Sequence, residues 1–304
     1  MLSRRPGAHH THHPDTHLLT ALLQDAAIES TSAPAAPPRL VSFLSAWDTL
    51  ATRLPSTPKD APPNTHPTSD LILQALKLAV AWMARLGEGS LTTPRHGAAP
   101  PSTPILVATQ LADLAANGLP IDNEVIAAAI LAEAADLDAL DAATVEARLG
   151  PGVLALLQDI ARVRALPSRV EILDARAASE LRELCLSFYD VRAVAVEVVS
   201  RAVAMASAER QPVWARQIAA LEGLQIYAPL GHALGLGSLS SALEDRCFQA
   251  LFPQTYDETA AWLRQERLVN ADVLQRCSRQ LQAALDADEE LRRCSDHVQV
   301  HWCV

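Results

Sequence analysis

Chemistry needs ionisable or nucleophilic side chains at spacings that can converge, and this sequence offers few. Glu133 and Asp136 stand three apart in "AILAEAADLDA" (129–139). One helical turn separates them, as it would two carboxylates sharing a proton and an attacking water. The same spacing marks a solvated helix edge, and that is the plainer reading. His232, in "PLGHALG" (229–235), has the chemistry of a general base but reads as a hydrogen-bonded core histidine. Asp190, Arg192 and Arg201 carry charge within helical stretches and read as salt links between helices. The histidines of "HHTHHPDTH" (9–17) have metal-binding nitrogens, yet they sit among Pro and Thr with nothing to form a supporting shell. Those of "HVQVHW" (297–302) fall on one strand face by what reads as a chance pattern. The cysteines, Cys185, Cys247, Cys277, Cys294 and Cys303, are odd in number, widely spaced and without a CxxC pair. They suit a reducing compartment with inert thiols and give no zinc signature.

The elements that would position such residues are helical. Apolar residues make up 49% of the 304 but aromatics only 4%, so the core must be built from Ala, Leu and Val. Alanine-rich, glycine-poor composition favours helix, because Ala loses no side-chain entropy there. A net charge of -10 argues against an extended nucleic-acid footprint. No apolar run reaches the roughly 20 residues that span a bilayer, so no membrane partner is expected.

Residues 1–66 are rich in Pro, Ser, Thr and His and read as disordered, with one helix near 40–54 ("LVSFLSAWDTLATRL"). Arg4 and Arg5 give the start a weak transit-peptide character, against which stand Asp15, Asp25 and Glu29. Helical periods then run through 70–87, 104–118, 122–136, 141–150, 151–166, a long 175–208, 239–252, 258–268 and 271–293. Glycine at 87, Asn-Gly at 117–118 and Pro at 104 and 151 punctuate them as caps. Strand-like alternation appears only in "DHVQVHWCV" (296–304). The sequence predicts an all-α helical domain over 67–237, a helical connector over 238–293 and the start of something else over 294–304.

Three stretches carry a family resemblance. "EGLQIYAPLGHALGLGSLSSALEDRCFQALFPQTY" (222–256) is similar to a YAPLAHRLG segment followed by an LEDLAF helix and a Pro-Tyr turn. "EARLGPGVLALLQDIARV" (146–163) resembles an RFG turn, and "CLSFYDVRAVAVEVVSRAVAM" (185–205) a helix bearing DIR and then a metal-binding Asp. Together, over roughly 104–300, they resemble the N-terminal half of the RelA/SpoT homologues, which make and hydrolyse (p)ppGpp. The stretch 162–193 looks most like the plant and algal calcium-activated branch, whose hydrolase half is degenerate.

The resemblance implies an HD-domain-like bundle in which a His, an adjacent His-Asp pair and a distant Asp hold one divalent ion, usually manganese. Imidazole and carboxylate suit that ion, which lowers the pKa of a bound water, while a Glu-Asp pair handles the proton. Aligned by the flanking motifs, the first His falls on Thr103 and the His-Asp pair on Ala132 and Glu133. The Glu-Asp pair falls on Asp136 and Leu137, and the late Asp on Ser200. Only Glu133 among the four ligand positions keeps an ionisable oxygen, so this resemblance implies no catalytic residues, no metal and a pseudo-hydrolase. Ile126, Ile130, Leu131 and Ala134 are expected to keep a packing stripe.

Three functions stay open. The domain could regulate an attached or partner synthetase domain of ppGpp metabolism in the stringent response, with guanine nucleotide as a ligand held without cleavage. The chain could be the front part of a GTP diphosphokinase (ATP:GTP pyrophosphate transfer), truncated before a catalytic domain beyond Val304. Magnesium and calcium would then belong to the full-length synthetase, since no EF-hand loop occurs here. Or it could be a helical protein-interaction scaffold. The resemblance implies a chloroplast location.

Overall fold

In the computed structural model the described residues are 49–50, 53, 68–85, 103–136, 141–169 and 173–294, and every regular element among them is helical. The predicted tail, the 87 cap, Leu137 and the strand-like 296–304 lie outside the described residues. The chain divides into two units, Met1–Cys247 and Phe248–Val304.

The first unit is organised around the alanine-rich stretch. Helices α1 (Thr68–Arg85), α2 (Thr103–Ala116) and α3 (Asn123–Asp136) are followed by α4 (Ala142–Leu149) and α5 (Pro151–Ala165). Asp122 opens α3 by accepting from Val125 N at 3.0 Å, and Asp141 opens α4 by accepting from Thr144 N at 3.1 Å. Gly150, at φ 88°, takes a left-handed turn that costs a residue with a Cβ, and Pro151 starts α5 directly after it. This is the turn read from "LGPG".

Helix α3 is the hub. Val125 to Ala132 are buried without a break, and α1, α2, α5 and α7 (Val191–Ala206) all pack against it. The expected packing stripe of Ile126, Ile130, Leu131 and Ala134 is buried, and within 125–132 burial extends beyond it to every side of the helix. Alanines at 127, 128, 129 and 132 leave room for neighbours on several sides at once. Ile130 and Leu131, 1% and 0% exposed, each gain roughly 1.5–3 kcal/mol from that burial. Leu50, from the helix read near 40–54, belongs to the same core.

The segment read as one helix over 175–208 is two, α6 (Ala175–Phe188) and α7. Asp190 breaks it: its carboxylate accepts from Arg192 N at 2.8 Å and its own N–H donates to Asp159 Oδ2 at 3.2 Å. A cap satisfied on both sides outcompetes continuation of the helix. Helix α8 (Val213–Glu222) runs through a π turn, Gly223–Tyr227, into α9 (Ala228–Ala233) and then α10 (Gly237–Leu251).

In the second unit, α11 (Pro253–Ala287) and α12 (Glu289–Cys294) replace the two predicted helices broken at 269–270. Asn270 does not interrupt α11, because its amide donates to Glu266 O (2.9 Å) and to Glu266 Oε2 (3.1 Å) one turn back.

Candidate functional site

The helices that should carry a metal come together: α2 packs on α3 and α7, and α3 on α7. What they carry is not a ligand set. Thr103, the first residue of α2, is buried at 8% exposure. Ala132 on α3, which the resemblance aligns with a ligand histidine, is buried at 3% and presents only a methyl. Ser200 on α7 is half-buried, and its hydroxyl donates to Val196 O at 2.8 Å, one turn back along its own helix. Glu133 is half-buried and has a partner. Asp136 closes α3. Among the described residues no three His, Cys, Asp or Glu side chains gather to hold a metal.

The residues present do not fit a divalent ion. A methyl donates nothing, and a neutral hydroxyl is a poor ligand for manganese beside imidazole and carboxylate. The buried position of Ala132 fits a packed apolar contact. An uncompensated ionisable group there would carry a large desolvation cost.

One face of α7 away, charge is abundant and paired. The Arg201 guanidinium, 5% exposed, meets Glu197 Oε1 at 2.8 Å and Glu222 Oε2 at 3.7 Å. It also donates to the Tyr227 hydroxyl at 3.2 Å, with its carbon 4.7 Å from the ring centroid. Glu197 takes a second bond from Arg164 Nε at 2.9 Å. Burial pushes the Tyr227 phenol up, outweighing the downward pull of Arg201. The sequence marks Arg201 as a salt link but gives no notice of Glu197, Arg164, Glu222 and Tyr227. The available signal was the four-residue spacing of Glu197 and Arg201 inside the otherwise apolar "AVAVEVVSRAVAM".

Arg192 ties two helix starts together, reaching Asp190 at the start of α7 (2.9 Å) and Asp122 (2.9 Å) and Glu124 (3.4 Å) at the start of α3. The hydrogen bond from Arg192 holds the Asp190 carboxyl below its usual range. His232 corrects the reading of a core histidine: it is hydrogen-bonded, to Glu244 Oε1 at 3.1 Å, but exposed, as the last turn of the short α9 faces solvent there. Burial lifts the Cys185 thiol to about 11 and the Cys247 thiol to about 12, so neither is a nucleophile at neutral pH.

A bundle of helices wrapped on one apolar helix fits an HD domain, and residues 79–237 match the family model described as "HD domain". A chloroplastic GTP diphosphokinase of Oryza sativa subsp. japonica, CRSH2, is 40% identical over 222 residues, or 73% of this chain and 37% of that protein. The probable chloroplastic GTP diphosphokinase CRSH of Arabidopsis thaliana is 35% identical over 245 residues, 80% of this chain and 40% of that protein. The GTP pyrophosphokinase of Escherichia coli (strain K12) is 28% identical over 175 residues, 56% of this chain and 24% of that protein. The chain belongs to the HD-domain family and, within it, to the RelA/SpoT homologues. It spans well under half the length of these curated relatives.

Proposed function

We propose that this chain is a pseudo-hydrolase: an HD domain of ppGpp metabolism that keeps the helical frame, has lost the ion and acts by biasing an attached or partner synthetase domain. The observation that carries the reading is Ala132, a buried methyl on the hub helix at the position of the ligand imidazole. Thr103 and the back-bonded Ser200 support it. Regulation by such a domain is a coupling free energy between two packings, so it needs no turnover of its own.

The test is direct. Purified chain incubated with ppGpp and Mn(II) is expected to release no pyrophosphate above the protein-free rate. Metal-dependent turnover would refute the proposal.

The names of the plant relatives favour a second reading of the whole protein to which such a domain belongs. Both are GTP diphosphokinases that cover most of this chain. On that reading, synthesis of ppGpp from ATP and GTP, with its magnesium and calcium dependence, resides in sequence this chain does not contain. The chain alone then yields no ppGpp on thin-layer analysis. The chloroplast is the proposed location, after the same relatives.

A further inference from the structure

The Arg201 cluster sits where the backbone departs from α geometry. Between α8 and α9 the five residues Gly223–Tyr227 form a π turn, closed by the Ala228 N–H donating to the Gly223 carbonyl. A π turn holds one residue more than an α turn in the same place, and single π turns inside α-helices occur frequently at functional sites. Rewinding this one to α would rotate the downstream helix by about 100° and shift it by about 1.5 Å, the step of one helical residue.

Side chains from two other helices hold it wound. Arg201 on α7 grips both ends of the turn, meeting Glu222 just before it (3.7 Å) and Tyr227 at its last position (3.2 Å). Arg182 on α6 donates to the Gln225 carbonyl in its middle. Gly223 lies so close to Cys247 that an added Cβ would stand 2.6 Å from the sulfur, so the turn also fits α10 closely. Glu197, Glu222 and Tyr227 are each at most 5% exposed, and Arg164 and Glu197 supply balancing charges, so the cluster is a paired buried network. Arg201 is the immediate neighbour of Ser200, so one turn of α7 carries both the emptied ligand position and the grip on the π turn.

We infer that Gly223–Tyr227 is a register latch, held in its π form by Arg201 and Arg182, whose release re-aims α9 and the start of α10. The inference rests on the proposed regulatory role only for its purpose; the latch itself is a property of these residues. Its two states are π-wound with Arg201 on Tyr227, and α-wound with that bond broken.

Hydrogen exchange measured by mass spectrometry on the whole chain tests it with two variants. Tyr227→Phe keeps the ring under the guanidinium and removes the hydroxyl; Arg182→Met keeps the half-buried stem and removes the donor to Gln225. Each is expected to speed exchange across 224–234 about tenfold, the factor for one lost hydrogen bond to a charged group, with α2, α3 and α5 unchanged. Unchanged exchange over 224–234 in both variants overturns the latch. So does an equal rise in α3 and α5, which would make the cluster a general prop of the core. The outcome is independent of the ppGpp assay: turnover there sinks the pseudo-hydrolase reading and leaves the latch standing, and unchanged exchange here does the reverse.

Discussion

At the scale of single residues, the proposed difference between a hydrolase and this chain is a matter of donor atoms. On that proposal Thr103, Ala132 and Ser200 stand where imidazole and carboxylate would be, the first two buried and the third bonded back to its own helix. Only Glu133 retains an ionisable oxygen among the four ligand positions, and one carboxylate does not hold manganese against water. Restoring the set together, Thr103→His, Ala132→His, Glu133→Asp and Ser200→Asp, is expected to recover manganese binding before catalysis, since position 137 remains leucine. Titration calorimetry reads the outcome; a quadruple variant that stays folded yet takes up no manganese would show that these four positions do not converge. The candidate ligand positions are assigned through motifs such as "YAPLGH" and "DVR", and the fold adds that the helices carrying Thr103, Ala132 and Ser200 pack together. The Arg201 cluster was legible only as far as Glu197, four residues back on α7; its other partners come from α5, α8 and the π turn, and nothing local in the sequence announces a pairing 26 residues away.

At the scale of elements, periodicity made most helices legible and caps decided their ends. The break at Tyr189–Asp190 escaped because the apolar period runs through it; the competing force is the Asp190 carboxylate, which accepts from Arg192 N and pairs with the Arg192 side chain, while the Asp190 N–H donates to Asp159. The π turn escaped because it differs from α by a single residue, and its cause is tertiary. Asp190→Asn separates cap from charge: the amide oxygen can still accept from Arg192 N, while the ion pair is lost. Both partners are about a third exposed, so the pair is worth roughly 0.5–1 kcal/mol. The Asp190 pKa is lowered on folding from 3.8, so its contribution is fully present above that value and disappears as pH falls through the lower folded value. Urea unfolding should therefore find the native chain more stable than Asp190→Asn at pH 7 and equal to it near pH 2. A gap that persists at pH 2 would mean that the substitution damages the cap and not the ion pair.

At the scale of the whole molecule, the two units are held by different physics. The first is built on a buried hub helix, and its helices fold because each covers part of α3. In the second, α11 runs 35 residues with none of them buried, and Trp262, Leu268, Val269 and Val273 are all more than half exposed. Such a helix is sustained by propensity and by pairs one turn apart, among them Gln254–Glu258 and Gln282–Asp286, each worth a few tenths of a kcal/mol. Local stability tracks burial, so opening of α11 should cost far less than opening of α3. Exchange mass spectrometry at neutral pH is expected to show 253–287 fully exchanged within the time that 125–132 keeps its amides, and heating should melt α11 before the hub. Equal protection of the two stretches in the isolated chain would show that α11 is covered, as by a second copy of the chain, and that the second unit owes its stability to burial after all.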